Sequence, residues 1–126
     1  MRIFLAGAAG VIGRRLVPLL VEDGHDVVGT TRSPDNADWL RDMNVTPAVL
    51  DIFDADAVMQ AVASARSEIV IHQLTDLPDV FEPARMLEIL RRNARIRDEG
   101  TRNLLNAARS AGVTRVIAQS ITFAYA

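Results

Sequence analysis

One short segment constrains this chain more than any other. Gly7-Ala8-Ala9-Gly10-Val11-Ile12-Gly13 follows without a break on the apolar run Ile3-Phe4-Leu5-Ala6. The run reads as a short buried strand, and the residues after Gly10 read as an amphipathic helix. At the turn between them, Gly7 permits a tight reversal, Gly10 lets a pyrophosphate approach the backbone, and Gly13 lets the helix lie close to the strand. The free N–H groups and positive dipole end of that helix then face an anion. An ordinary strand–helix turn is the simpler reading. The glycine spacing in full strand–loop–helix context favours cofactor binding over it.

Composition narrows the classes that remain. The chain has 126 residues, 49% apolar and 24% charged, which suits one folded domain with a real core. A net charge of −2 argues against general attraction to nucleic acid or to anionic membranes. With no cysteine, disulfides and thiolate metal sites are excluded, and no apolar run approaches the roughly 20 residues that span a bilayer. The first strand begins at residue 2, so no signal peptide is expected and the predicted location is cytoplasmic. All 14 basic residues are arginine, so no mechanism that needs a lysine can be completed by these residues.

Apolar periodicity alternates between strand and helix along the whole chain. Strands are predicted at 2–6, 26–31, 46–50, 68–72 and 114–119, and helices at 11–22, 35–43, 55–65 and 83–111. Ile12, Leu16, Leu19 and Leu20 share one face of the first helix. Pro18 removes one of its hydrogen bonds, to the carbonyl of Arg14. Leu90, Ala94, Thr101, Leu104, Leu105 and Ala108 share one side of the last helix, and residues 73–82 read as a loop. Strands separated by helices of this length pair in parallel with right-handed crossovers. The expected architecture is an α/β, Rossmann-type doubly wound sheet of order 3-2-1-4-5, with ligands at the carboxyl ends of the strands.

Candidate chemistry lies at those ends. A carboxylate after the second strand would hold the ribose hydroxyls of NAD, whereas here the strand closes on Thr31-Arg32. An arginine fork grips a 2′-phosphate, with Thr31 and Ser33 as further hydroxyl donors, so NADP(H) is predicted over NAD(H). A solvated Arg32 is the plainer alternative. After the third strand, Asp51 can accept from an adenine amino group while Ile52 packs the ring, and Asp54 reads as a helix cap. Gln73, Leu74 and Thr75 follow the fourth strand, where backbone passes close to the nicotinamide ribose. Ala9, Val11 and Ile12 complete the contacting set around Gly7, Gly10 and Gly13. His72 reads as a packed, hydrogen-bonded histidine rather than a general base, and His25 as a surface loop residue. Five arginines on the last helix could form a nucleic-acid patch. Their four-residue spacing from acids (Glu88 to Arg92, Arg95 to Glu99, Asp98 to Arg102) favours a solvated face of ion pairs. Ser120 and Thr122, past the fifth strand, are candidate catalytic hydroxyls that can polarise a substrate carbonyl. No spacing suits a metal.

The glycine loop, Asp51, the Gly100-Thr101-Arg102-Asn103-Leu104-Leu105 segment and residues 120–125 together resemble an extended or atypical short-chain dehydrogenase/reductase, of the NAD-dependent epimerase/dehydratase group. That resemblance implies an oxidoreductase or epimerase in which a Ser or Thr orients the substrate. A Tyr exchanges a proton, and a Lys lowers its pKa and holds the nicotinamide ribose. The chain departs from the pattern in three places. The family's active-site hydroxyl falls on Ile121, between Ser120 and Thr122. The family asparagine before the Gly-Thr pair is Arg97. No Tyr-x-x-x-Lys pair is present, because Tyr125 matches a different tyrosine.

The resemblance therefore implies the cofactor-binding part of a longer protein with a sixth strand and a substrate lobe, inactive by itself. A non-catalytic dinucleotide sensor and a scaffold without ligand are the alternatives. The expected partners are the dinucleotide and, for the longer protein, a small-molecule substrate, with neither nucleic acid nor membrane. The edge formed by Val116, Ile117 and Ala118 is expected to promote self-association.

Overall fold

The computed structural model describes residues 1–74 and 83–118. Five parallel strands form one sheet: β1 (Arg2–Ala6), β2 (Asp26–Thr31), β3 (Thr46–Val49), β4 (Ile69–His72) and β5 (Arg115–Ala118). Their order is β3-β2-β1-β4-β5. The helices are α1 (Val11–Glu22), α2 (Pro34–Asp42), α3 (Ala55–Ala65), α4 (Met86–Arg95) and α5 (Thr101–Ser110). β1 is central because it pairs with β2 on one side and with β4 on the other, Ile3 opposite Val27 and Ile69. The chain winds outward from β1 through β2 to β3, then returns to β4 and β5. The reversal of direction leaves a crevice at the carboxyl ends of β1 and β4.

The two-residue period of a strand divides the core into two layers. Ile3 and Leu5 of β1, with Ile69 and Ile71 of β4, pack on Val17 and Leu40 of α1 and α2. Phe4 and Ala6, with Val70, pack on Val58 and Val62 of α3 and on Leu104, Ala107 and Ala108 of α5. Buried on both faces, β1 and β4 read as continuous apolar runs, as the strands of a covered parallel sheet must. β5 lies at an edge, with Val116 and Ile117 exposed.

Local signals account for the helix ends. Ser33 caps α2 by accepting from Asn36 N–H, with Pro34 in the first turn. Asp54 caps α3 by accepting from Ala57 N–H at 3.2 Å, the role read for it from sequence. α1 runs unbroken through Pro18.

Three expectations are corrected. On α1 Gly13 and Val17 are buried and Leu16 and Leu20 pack against the core as expected, while Ile12 and Leu19 are exposed. The last helix is not one α-helix from 83 to 111. It opens with a 3₁₀ turn at Pro83–Arg85, and α4 and α5 are joined by a π-helical turn, Ile96–Gly100. Its packed side carries Ile89, Asn93, Ile96, Gly100, Leu104, Ala107 and Ala108, with Leu90, Ala94 and Leu105 turned to solvent. Apolarity alone does not distinguish Leu104 from Leu105; the spacing of their neighbours in space does. The expected ion pairs are present as Glu88–Arg92, Arg95–Glu99 and Asp98–Arg102. All are exposed, where such pairs contribute about 0–1 kcal/mol.

Phe4 is completely buried between β1 and the α3–α5 layer. Phe4→Ala is expected to destabilise the fold by about 3–5 kcal/mol through lost burial and a residual cavity, read from the urea unfolding midpoint. Phe4→Leu should cost distinctly less.

Candidate functional site

The loop between β1 and α1 is shaped by contacts only glycine can make. Gly7 has φ +83°, and a side chain there would strike the backbone of Gln73, with its Cβ 2.7 Å from the Gln73 carbonyl carbon. A Cβ on Gly13 would meet the Gly7 carbonyl and lie 2.5 Å from the Ala8 oxygen. Gly10 is different: a Cβ there meets nothing nearer than the Gly7 oxygen at 3.5 Å, an ordinary contact. The protein itself does not require glycine at position 10. Gly10 is one of the residues that line the cleft.

Thr30 holds the loop in place. Gly7 N–H donates to Thr30 Oγ1 at 2.9 Å and Ala8 N–H to the Thr30 carbonyl at 3.1 Å. The Gly10 carbonyl accepts the first helical bond, from Arg14 N–H, and no side chain caps α1. The leading N–H groups of α1 are therefore available to an anion.

A cleft of about 310 Å³ opens above the carboxyl ends of the strands. The loop contributes Gly7, Ala9 and Gly10. The end of β2 and the start of α2 contribute Thr30, Thr31, Arg32, Ser33 and Asn36. Leu50, Ile52 and Phe53 form a third wall, and Gln73, Leu74 and Ile96 a fourth. Of the residues singled out from sequence, Gly7, Ala9, Gly10, Thr31, Arg32, Ile52, Gln73 and Leu74 are brought together here. Val11, Ile12, Gly13 and Asp51 are not among the lining residues. Asp51 is exposed and its carboxylate accepts from Phe53 N–H at 2.9 Å, an Asx turn that shapes the wall behind Ile52. Thr75, Ser120 and Thr122 lie outside the described residues.

Hydroxyls at the β2 end are already organised. Thr31 Oγ1 accepts from Ser33 N–H at 3.1 Å, and Ser33 Oγ accepts from Asn36 N–H at 3.4 Å. Each keeps its O–H hydrogen as a donor. On the opposite wall Gln73 Oε1 is buried and has no hydrogen-bond partner among the described residues. A buried acceptor left so is costly unless a ligand donor reaches it.

Sequence reasoning missed Thr30, Asn36, Leu50, Phe53 and Ile96. Asn36 lies one turn beyond Ser33, and Phe53 two residues beyond Asp51, spacings that carried a signal. Ile96 enters through the π turn and carried none. Phe53 is held by the Arg95 guanidinium, 3.9 Å from its ring centre. Ile52 is fixed by Asn103, whose Nδ2 donates to the Ile52 carbonyl at 2.8 Å. Asn103 belongs to the Gly-Thr segment that carried the resemblance, and this bond is its structural role.

His72 is buried and structural, as its surroundings in sequence suggested. Leu74 N–H donates to His72 Nδ1 at 3.1 Å, so Nδ1 is the unprotonated nitrogen. Nε2 then carries the hydrogen and donates to Thr101 Oγ1 at 2.8 Å. The ring thereby ties β4 to α5 and sets the backbone at Leu74. Burial, then the charge of Arg97, holds its pKa below the usual value of 6.5. His25 is half-buried and 3.3 Å from Asp23, not the surface residue expected. Among the described residues no group of His, Asp and Glu could hold a metal, and no helix is long and apolar enough to cross a membrane.

A doubly wound sheet with a glycine loop at its switch point defines a dinucleotide-binding domain of Rossmann type. The NAD(P)H-binding family model matches residues 7–126. A 3-diazoavenalumate denitrifying reductase from a Streptomyces species is 43% identical over 126 residues, 100% of this chain and 40% of the reductase. The UDP-glucose-4-epimerase of Stenotrophomonas maltophila, solved with bound NAD, superposes with a TM-score of 0.81 at 20% identity, over 99% of this chain and 38% of the epimerase. A short-chain dehydrogenase/reductase superfamily protein of Agrobacterium tumefaciens, also with bound NAD, gives 0.67 at 28% identity, over 92% and 31%. The chain belongs to the NAD(P)H-binding family and is of the atypical short-chain dehydrogenase/reductase kind. It spans less than half the length of each of these relatives.

The His72 bonds generate a pH dependence. A lowered folded pKa means the unfolded chain takes up its proton first as pH falls. The contribution is complete above about pH 6.5 and is lost as pH falls from there toward the folded pKa. His72→Leu should destabilise by about 1–3 kcal/mol at pH 8. It should also flatten the decline in unfolding free energy below pH 6.5. A wild-type-like slope in the variant would show that another group titrates.

Proposed function

We propose that this chain is the NADP(H)-binding part of an oxidoreductase of the short-chain dehydrogenase/reductase type. The observation that carries the reading is the cleft end where Arg32 stands with Thr31 and Ser33, without a carboxylate, at the place a dinucleotide presents its adenosine ribose. A carboxylate there would repel a 2′-phosphate, and an arginine attracts it. The rest of the cleft fits the cofactor. The open Gly10 and the N–H groups of α1 suit a pyrophosphate. Ile52 and Phe53 offer an apolar wall to the adenine, with Asp51 just beyond. The orphaned Gln73 Oε1 calls for a donor such as a ribose hydroxyl or a carboxamide. When bound, NADP(H) supplies or accepts a hydride at its nicotinamide ring. This chain's part is to orient the dinucleotide and wall it from water. Kinship with a Streptomyces reductase supports reduction as the whole protein's activity, with the hydroxyls of Ser120 and Thr122 as the candidates for polarising a substrate carbonyl.

Two experiments test this on the intact protein. Calorimetric titration should show NADPH bound at least about tenfold more tightly than NADH, the worth of one hydrogen bond to a charged group. Arg32→Ala should erase the difference, and equal or tighter binding of NADH by the wild type would overturn the preference. Separately, Gly10→Ala should melt within a few degrees of wild type, because its Cβ meets only an ordinary contact. It should nevertheless lose most of its affinity for both dinucleotides. Unchanged binding would remove the loop from the pyrophosphate site.

A further inference from the structure

Asn36 lines the cleft beside Arg32 and Ser33, and a second arginine decides which way its amide faces. Arg14 Nη2 donates to Asn36 Oδ1 at 3.0 Å. The same guanidinium donates through Nε to the Ala9 carbonyl at 2.8 Å and lies over the Trp39 ring, 5.1 Å from its centre. It is thus held by the glycine loop, by α2 and by an aromatic face together. A guanidinium has donors only, so the Asn36 oxygen must be the atom turned to Arg14. Nδ2 is then the end of the amide that Arg14 does not engage, and it can only donate.

We propose that Asn36 is a specificity-determining residue, oriented by Arg14, that donates a hydrogen bond to the 2′-phosphate of NADP(H) alongside Arg32. The inference rests on the reading that the Arg32 end of the cleft holds that phosphate. Arg14 does not line the cleft and acts through Asn36, as a positioning residue. Its bond to Ala9 also ties the loop that receives the pyrophosphate to the helix that receives the 2′-phosphate. An asparagine free to rotate would offer its oxygen or its nitrogen equally. The fixed one offers a donor only, which suits a phosphate and adds nothing selective for a bare ribose hydroxyl.

The test compares NADPH and NADH dissociation constants by calorimetry in the intact protein. Asn36→Asp keeps an oxygen for Arg14 but places a carboxylate where the amide donated. It should melt close to wild type and lose at least about tenfold in NADPH affinity, with NADH within about twofold. Arg14→Met keeps apolar packing on Trp39 and removes the donor. It should lower the NADPH/NADH preference, and Arg14→Lys, which keeps a cationic donor, should restore part of it. A merely structural Arg14 would shift both dinucleotides equally. If Asn36→Asp retains the wild-type preference while Arg32→Ala abolishes it, this inference falls and the NADP reading stands. If the wild type shows no preference, both fall.

Discussion

Thr30 accepts two bonds from the glycine loop, and the site hangs from them. Its hydroxyl takes the Gly7 amide and its carbonyl the Ala8 amide, from a side chain that is itself buried. With those amides fixed, the Gly7 carbonyl turns toward Gly13, and α1 must approach where no Cβ fits. The first turn of α1 then stands over the carboxyl ends of β1 and β4 with its N–H groups outward. A loop of mostly small residues has little side-chain packing of its own to define its path. One threonine on the adjoining strand supplies the definition.

The other walls are fastened by the same kind of long reach. His72 joins the end of β4 to Thr101, 29 residues away, and Asn103 holds Ile52, 51 residues back. Both partners lie in the first turn of α5, so one helix start braces two walls of the cleft. The π turn before it brings Ile96 to the cleft while leaving Leu104 and Ala107 on the sheet. Single π turns inside helices are frequent at functional sites, where they re-aim side chains at a cost in hydrogen-bond geometry.

What was legible in the sequence follows from how locally each feature is encoded. The alternation of Ile3 and Leu5 against Phe4 and Ala6, and the spacing of strands by helices, carry sheet order and both core layers. The glycine loop, Arg32, Gln73 and Leu74 were legible because position at a strand's carboxyl end implies a place in the crevice. The π turn was not. Buried positions 89, 93, 96, 100 and 104 keep three- and four-residue spacings that an unbroken helix would also show. Nor was the Arg14–Asn36 bond, since two polar residues 22 apart carry no mark of their pairing. Leu90 and Leu105 were placed inside because an apolar side chain does not state which neighbour it will find.

The stacking of Arg14 on Trp39 has an optical consequence. Trp39 is the chain's single tryptophan and is half-buried on α2. The cation over its ring is bonded to Ala9 of the glycine loop and to Asn36 of the cleft wall. Indole emission responds to the position of a nearby charge, so any ligand that draws on Ala9 or Asn36 alters the light from Trp39 without touching it. Trp39 is thus an intrinsic fluorophore linked through one guanidinium to the glycine loop and to the Asn36 wall of the crevice.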